Sequence, residues 1–191
     1  MKNFLPILIL MLSFGSINAQ SVNKLKKELL NSIEQKSDEL ITMSDNIWHA
    51  AEVAFREEKS AQYLMEYAKQ NGFDVDSDLA GMPTAFTATF GEGSPVIGII
   101  GEFDALPGLS QTTVPYKNEL TERGAGHGCG HNLFGTASLG AAVAIKELIE
   151  KGSLKGTVKY FGTPAEEKFF GKLWMIRDGV FDNVDVVMDW H

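Results

Sequence analysis

Hydrophobic and polar positions follow two different periods along this chain, and each period predicts one kind of element. Residues 22–51 are helix-forming and rich in Lys, Glu, Leu and Ile, and residues 61–68 repeat apolar positions at helical spacing before Gly72, which predicts two amphipathic helices before the core. Residues 84–90 and 95–100 are predicted to be strands. The second is a continuous apolar run, typical of a strand that is buried on both faces of a parallel sheet.

The second half of the chain continues the alternation. Residues 141–152 are predicted to be a helix that stops at a glycine, and residues 157–161 a strand. A shorter helix around 174–179 and a last strand over 184–188 follow. Because strands and helices alternate, the pattern predicts the α/β class with a mostly parallel sheet.

Four polar or glycine-rich segments lie just after a predicted strand or in the loop before a helix: residues 101–108, 124–132, 163–167 and 189–191. In open α/β sheets, binding sites gather at the carboxyl ends of the strands. We therefore expect these segments to converge on one crevice.

Composition narrows the class of protein. The chain has 191 residues, of which 44% are hydrophobic and 22% charged, enough apolar material for the core of one ordinary globular domain. Lys and Arg number 17 against 25 Asp and Glu, for a formal net charge of −8. A surface of this sign is not built for phosphate backbones, so no nucleic-acid partner is expected.

The first residues differ in kind from the rest. Lys2 precedes an apolar stretch over residues 5–14 that is too short to span a bilayer, and Ala19 supplies a small residue at a cleavage site. Residues 1–19 are therefore predicted to be a cleaved signal peptide of an exported protein, periplasmic or secreted, without a stable membrane anchor. A buried N-terminal helix or a retained anchor is the alternative interpretation.

The segment Gly126-His127-Gly128-Cys129-Gly130-His131-Asn132 carries the most chemistry. Three possible ligands occur at every second position, and in an extended backbone that period places their side chains on one side. Thiolate and imidazole are the ligands that zinc-like ions prefer. Alone, Cys129 could be a buried apolar residue or pair with another chain, and each His could be an ordinary surface or core residue. Cys129 is the only cysteine of this sequence, which excludes a disulfide within these residues.

Thr163-Pro164-Ala165-Glu166-Glu167 permits two interpretations. Thr163 as N-cap, Pro164 at the first helical position and a Glu behind them would form a capping box. Adjacent carboxylates at a strand-to-helix corner also suit a metal hydrolase, one to bind the ion and one to accept a proton from the attacking water. Both can hold together.

Two further acidic residues follow a predicted buried strand. Glu102 and Asp104 project on the same side, and an acid there could accept the second ring N–H of a ligating histidine and so fix its tautomer. His191 stands at the end of the last predicted strand. His49 is interpreted as a packing or surface residue.

In this order and at these separations, FDALPG, GHGCGHN and TPAEE resemble the metallo-amidohydrolase and metallopeptidase family of aminoacylases, carboxypeptidase G and plant auxin-conjugate hydrolases. The strings GEFDALPGLSQ, GHGCGHN, GTASLGAA and GTPAEE are most similar to its p-aminobenzoyl-glutamate hydrolase B-subunit branch. The resemblance covers about residues 39–191. It implies a three-layer αβα sandwich and a metal-dependent amidohydrolase that cleaves N-acyl amino acids such as p-aminobenzoyl-glutamate.

The resemblance also implies roles for individual residues. Two divalent ions, Zn or Mn, would be bridged by Cys129 and held by His131, Glu167 and His191. Glu166 would be the general base. Asp104 would orient a ligand, and His127 would lie next to the ligands without binding metal. Glu102, where some relatives have His, is not assigned a role.

Residues 20–191 would then be a partial catalytic domain. The family's lid or dimerisation domain and its distal histidine ligand are not among these residues, and Lys168-Phe169-Phe170 replaces a Gly-rich stretch. The substrate would be a small N-acyl amino acid or a dipeptide, and the full-length form a homodimer or hetero-oligomer. The alternatives are a non-catalytic truncated fragment, an exported metal-binding module and a dipeptidase of the same family.

Overall fold

A computed structural model describes residues 21–191 of the chain, so the predicted signal peptide lies outside the described residues. Helix α1 covers residues 21–35 of the described part, and α2 (Ser37–Ala50) and α3 (Glu58–Gln70) follow. The first predicted helix, residues 22–51, is divided at Lys36 into α1 and α2, and the second predicted helix corresponds to α3. Among residues 21–191, no helix is both long and apolar enough to cross a bilayer.

Five strands form one sheet in the order β1-β2-β4-β3-β5. Their bounds are β1 Asp74–Ser77, β2 Phe86–Glu92, β3 Val96–Glu102, β4 Gly156–Thr163 and β5 Val186–Met188. Strands β3, β4 and β5 pair in parallel, whereas β1 with β2 and β2 with β4 pair antiparallel. The α/β class is confirmed. The segments after β3, β4 and β5, which contain candidate site residues, follow the parallel part of the sheet. Strand β1 is a polar tetrapeptide without an apolar alternation, and the sequence did not predict it.

Helices cover both faces of the sheet. On one face α2, α3 and the long helix α4 (His131–Glu150) pack over a core that includes Phe86, Ile99 and Tyr160. On the other face a smaller core includes Ile100 and Phe161 and is closed by α6 (Gly171–Arg177) and a short 3₁₀ turn, Leu79–Gly81. Neighbouring residues of one strand thus enter opposite cores, as the alternation of side chains along a strand requires.

Candidate metal centre and active site

The carboxyl ends of β3, β4 and β5 and the start of α4 meet in one place. Asp104 follows β3, the four-residue helix α5 (Glu166–Phe169) follows β4, and His191 follows β5. Cys129 and His131 stand at the N-terminus of α4, against the same edge of the sheet. The predicted convergence of these loops is confirmed, because parallel strands bring their carboxyl ends to one edge.

Three soft ligands come together at this edge. The Cys129 Sγ lies 3.3 Å from the His191 Nε2, which in turn lies 3.4 Å from the His131 Nε2. One ligand atom from each of Cys129, His131 and His191 lies within 4.8 Å of the others, and the same is true of Glu102, His131 and Glu166. His131 belongs to both groups and is fully buried. Together these residues offer a thiol, imidazoles and carboxylates within reach of one another, the kind of donor set that binds a divalent metal ion.

Asp104 fixes the ring of His131. The His131 Nδ1 lies 3.0 Å from both the Oδ1 and the main-chain oxygen of Asp104, two acceptors that place the proton on Nδ1. The Nε2 therefore faces the ligand groups, which is the orientation that an outer carboxylate imposes on a metal-binding histidine. The second carboxylate oxygen, Oδ2, accepts the main-chain N–H of Glu167 at 3.0 Å. Asp104 thus positions two of the predicted ligands at once.

Glu102 belongs to the site, although sequence reasoning assigned it no role. Its Oε2 lies 3.0 Å from the His131 Nε2 and 3.7 Å from the His191 Nε2, and its Oε1 pairs with Lys172. Burial alone would raise the pKa of Glu102, but the hydrogen bonds from His131 and Lys172 lower it to about 2. The available signal was its position two residues before Asp104 on the same side of a strand end.

Burial alone would lower the pKa of His131, but its hydrogen bonds to Asp104 and Glu102 and the charges of both carboxylates raise it to about 10. Each ring nitrogen of His131 thus faces a carboxylate oxygen at 3.0 Å, Nδ1 that of Asp104 and Nε2 that of Glu102. A metal ion at Nε2 would replace the proton that faces Glu102.

The paired glutamates differ in their surroundings. The Glu166 side chain is 33% exposed and that of Glu167 15%, and one oxygen of each lies 3.9 Å from the His131 Nε2. The Glu167 Oε1 is buried and has no hydrogen-bond partner among the described residues. Burial, together with the charges of Asp104 and Glu166, raises the pKa of Glu167. A buried carboxylate oxygen without a partner, beside thiol and imidazole ligands, fits a metal ion.

The capping-box prediction for Thr163 is wrong. Thr163 is the last residue of β4, and the N-cap of α5 is Ala165, which makes no side-chain cap hydrogen bond. Ala165 has left-handed backbone angles, φ 58° and ψ 34°. In that region the Cβ of an L-residue crowds the backbone, at a cost of roughly 1–2 kcal/mol. The chain therefore turns sharply at Ala165 and presents Glu166 and Glu167 toward the site.

The prediction that every second residue from His127 to His131 faces one side is wrong for His127. Its Nε2 lies 3.1 Å from the main-chain oxygen of Ile47 in α2, and it belongs to neither ligand group. The reason is that the backbone is not extended after His127, since it bends at residues 128 and 129. Burial lowers the pKa of His127, which favours a neutral ring that packs behind the loop. His49 is a surface residue whose Nδ1 contacts the main chain one turn earlier, as predicted.

We expect Asp104→Asn to weaken metal binding by about 10- to 100-fold, the usual effect of changing a group that orients a ligand. An amide nitrogen cannot accept the N–H of His131 or Glu167, so at least one of the two contacts is lost. Calorimetric titration with Zn²⁺ or Mn²⁺ would measure the change. Asp185→Asn is a matched control, because the Asp185 Oδ2 also accepts a main-chain N–H of β3, that of Val96 at 2.7 Å, at the opposite end of the strand. Equal affinities for the Asp104 variant and the wild type would contradict the assignment.

The fold and this site define a class: an α/β domain with a candidate metal centre and a partly exposed carboxylate at the carboxyl ends of parallel strands. Residues 98–191 match Peptidase family M20/M25/M40. The chain belongs to this family, which confirms the resemblance seen in the sequence motifs.

Individual relatives agree with the family. The chain is 43% identical over 162 residues to the B-subunit of p-aminobenzoyl-glutamate hydrolase from Escherichia coli, covering 84% of this chain and 34% of the relative. It is 29% identical to the Xaa-Arg dipeptidase of Mus musculus, over 93% of this chain and 40% of the relative. The chain therefore spans about a third to two fifths of the length of these relatives.

A solved structure shares the fold. The YXEP protein of Bacillus subtilis, described as a dinuclear metal binding peptidase from the M20 family, superimposes with a TM-score of 0.70 at 26% identity. The superposition covers 81% of this chain and 42% of that one. The described residues thus correspond to part of the fold of an M20 hydrolase.

Proposed function

We propose that the full-length protein is a metal-dependent amidohydrolase that cleaves the amide bond of N-acyl amino acids such as p-aminobenzoyl-glutamate. The observation that carries the proposal is the position of Glu166, a partly exposed carboxylate beside a cluster of Cys129, His131 and His191. Glu166 also belongs to one of the two candidate ligand groups, but the buried Glu167 Oε1, without a hydrogen-bond partner among the described residues, can supply the carboxylate that an ion needs and leave Glu166 as the base that hydrolysis requires. The relative named p-aminobenzoyl-glutamate hydrolase supports the choice of substrate.

Two divalent ions, Zn²⁺ or Mn²⁺, are proposed as the cofactors. Cys129, His131, Glu167 and His191 would hold them, and Glu102 lies close enough to His131 and His191 to contribute to the same shell. Once bound, such ions polarise a carbonyl group and make water a stronger nucleophile. The dinuclear M20 relative supports the number of ions, and thiolate with imidazole supports a zinc-like metal.

Residues of this chain would transfer the proton and keep the ligands in position. Glu166 would take a proton from the attacking water as the water oxygen bonds to the amide carbon. It would then give that proton to the amide nitrogen as the C–N bond breaks. The products are a carboxylic acid and an amino acid with a free amine. Asp104 holds His131 and the main chain of Glu167 in place throughout.

Hydrolysis by the full-length protein tests this proposal. With Zn²⁺ or Mn²⁺ present, we expect release of p-aminobenzoate from p-aminobenzoyl-glutamate, and we expect a chelator to abolish it. N-acyl amino acids and a dipeptide series ending in arginine belong in the same panel, since the Xaa-Arg dipeptidase relative favours a dipeptide as the second candidate substrate. Binding of metal without hydrolysis of any member would instead support the non-catalytic alternative.

We also propose that the protein is exported and that the mature chain begins near Gln20 or Ser21. The charged residue, the short apolar stretch and Ala19 support this. N-terminal sequencing of the protein from a periplasmic or secreted fraction should find this start, and material that still begins at Met1 would contradict it.

A hetero-oligomer is the proposed assembly of the full-length protein. The Escherichia coli relative is named as one subunit of its hydrolase, which supports this choice. A homodimer is the alternative, and a native mass measurement would separate the two.

A further inference from the structure

Glu57 is a buried acidic residue to which the proposed mechanism gives no role. It lies at the N-terminal end of α3, yet its side chain makes no capping hydrogen bond to that helix, and it is 0% exposed. A carboxyl group is almost never fully buried unless polar partners replace the water it has lost. The partners of Glu57 therefore indicate what the residue does.

Both carboxylate oxygens of Glu57 have a partner from a distant part of the chain. The Oε1 accepts the main-chain N–H of Ala165 at 2.9 Å, and the Oε2 accepts the hydroxyl of Thr84 at 3.2 Å. All three residues are buried. The carboxyl group thus joins the start of α3 to the turn between β4 and α5.

The turn at Ala165 is the one that presents the paired glutamates. Ala165 has left-handed angles without being a glycine, and such a conformation persists only where the surroundings fix it. Its N–H points to Glu57 rather than into a helix or a strand ladder. Removal of the carboxyl group would leave a buried N–H without an acceptor and would free the turn to relax.

We propose that Glu57 is a positioning residue for the metal centre: it holds Ala165 in the left-handed turn and thereby sets where Glu166 and Glu167 point. Asp104 fixes the other end of the same turn through the N–H of Glu167. Two buried carboxyl groups, that of Glu57 at the start of α3 and that of Asp104 after β3, therefore accept the two main-chain N–H groups on either side of Glu166. This inference rests on the proposed function for the role of the glutamates, while the turn itself can be tested without metal.

The test compares four forms of the full-length protein: wild type, Glu57→Leu, Glu57→Gln and the matched control Glu52→Leu. Glu52 is also a carboxylate that accepts main-chain N–H groups, those of Lys59 and Ser60 at 3.1 and 2.9 Å, but among residues 21–191 its side chain forms no hydrogen bond with the turn at Ala165. Glutamine keeps the acceptor oxygen for Ala165 and can donate to the Thr84 hydroxyl. Because burial raises the pKa of Glu57 to about 7, a neutral side chain is a fair substitute.

Glu57→Leu is expected to lower the affinity for Zn²⁺ or Mn²⁺ by about 10- to 100-fold, the scale of an outer positioning group, and Glu57→Gln to restore most of it. Hydrogen exchange should rise at the amides of residues 165–167 in Glu57→Leu. In Glu52→Leu it should rise at the start of α3 instead, with metal affinity unchanged. A merely structural residue would lower the unfolding temperature without this local signature.

Unchanged metal affinity and unchanged exchange at residues 165–167 in folded Glu57→Leu would overturn the inference, as would equal loss of affinity in Glu52→Leu. If Glu57→Leu does not fold, Thr84→Val removes one of the two hydrogen bonds of the carboxyl group. It should raise exchange at residues 165–167, and no rise would count against the inference. If the wild type binds neither Zn²⁺ nor Mn²⁺, the proposed function fails, whereas the exchange experiment still decides the role of Glu57.

Discussion

Replacement of Glu166 by glutamine is expected to lower turnover by roughly 10²-fold or more while metal stays bound. General bases contribute on this scale, and glutamine keeps the size and polarity of the side chain but cannot accept the proton of the attacking water. The position of Glu166 supports the expectation. Its side chain is partly open to solvent and so can meet a substrate, and its Oε2 lies 3.9 Å from the His131 Nε2.

The adjacent residue provides the control for this experiment. Glu167→Gln should weaken metal binding, because the Oε1 of Glu167 is buried without a hydrogen-bond partner among residues 21–191 and is available to an ion. Metal content by elemental analysis and the rate of amide hydrolysis would be measured on both variants. If both lose metal to the same extent, or if Glu166→Gln keeps its activity, the separate roles of the two glutamates are wrong.

Replacement of Cys129 by serine is expected to weaken Zn²⁺ binding by at least about 100-fold. Changing an outer group that only orients a ligand already costs up to about 100-fold, and the loss of a ligand should cost no less. A thiolate is a much softer ligand than a hydroxyl oxygen, and the Cys129 Sγ lies beside the His191 Nε2 at 3.3 Å. Burial, with the neighbouring charges of Glu167 and Glu166, raises the pKa of the Cys129 thiol, so without metal the group carries its proton.

The sulfur also supplies a direct readout. Cys129 is the only cysteine among these 191 residues, so in this chain the reaction of a colorimetric thiol reagent reports on Cys129 alone. Added Zn²⁺ should slow that reaction in the wild type. His49→Gln serves as a control histidine variant, because His49 is exposed and belongs to neither ligand group, and it should bind Zn²⁺ like the wild type. Unchanged metal content and activity in Cys129→Ser would show that Cys129 is not a ligand.

The elements with a strong apolar period were predictable from the sequence. Strand β3 is a continuous run of Val, Ile and Gly, and α3 repeats apolar residues at helical spacing, so both were found with errors of a few residues at their ends. Strand β1 was missed because its four residues, Asp-Val-Asp-Ser, have little apolar character. It is a strand because β2 offers it a free edge to pair with, which is a property of the sheet and not of the segment.

The site also contains features that the sequence predicted and features that it did not. Ligand chemistry, spacing and motif resemblance predicted Cys129, His131, Glu166, Glu167 and His191, and the structure brings all of them to one sheet edge. The predicted reason for the Glu pair was wrong, since a left-handed turn at Ala165 and not a capping box directs them. His127 was also placed on the wrong side, because the period of two assumes an extended backbone and the chain bends at residues 128 and 129.

The sequence by itself determined the family, the alternating order of strands and helices, and the kinds of ligand that a site here could offer. Those properties depend on local patterning and on side-chain chemistry. Tertiary structure alone decided that Glu102 faces His131, that Lys172 balances its charge, and that Glu57 reaches Ala165 from 108 positions away. Such contacts depend on how separate elements pack, and a carboxylate looks the same in a sequence whether it meets water or a buried N–H.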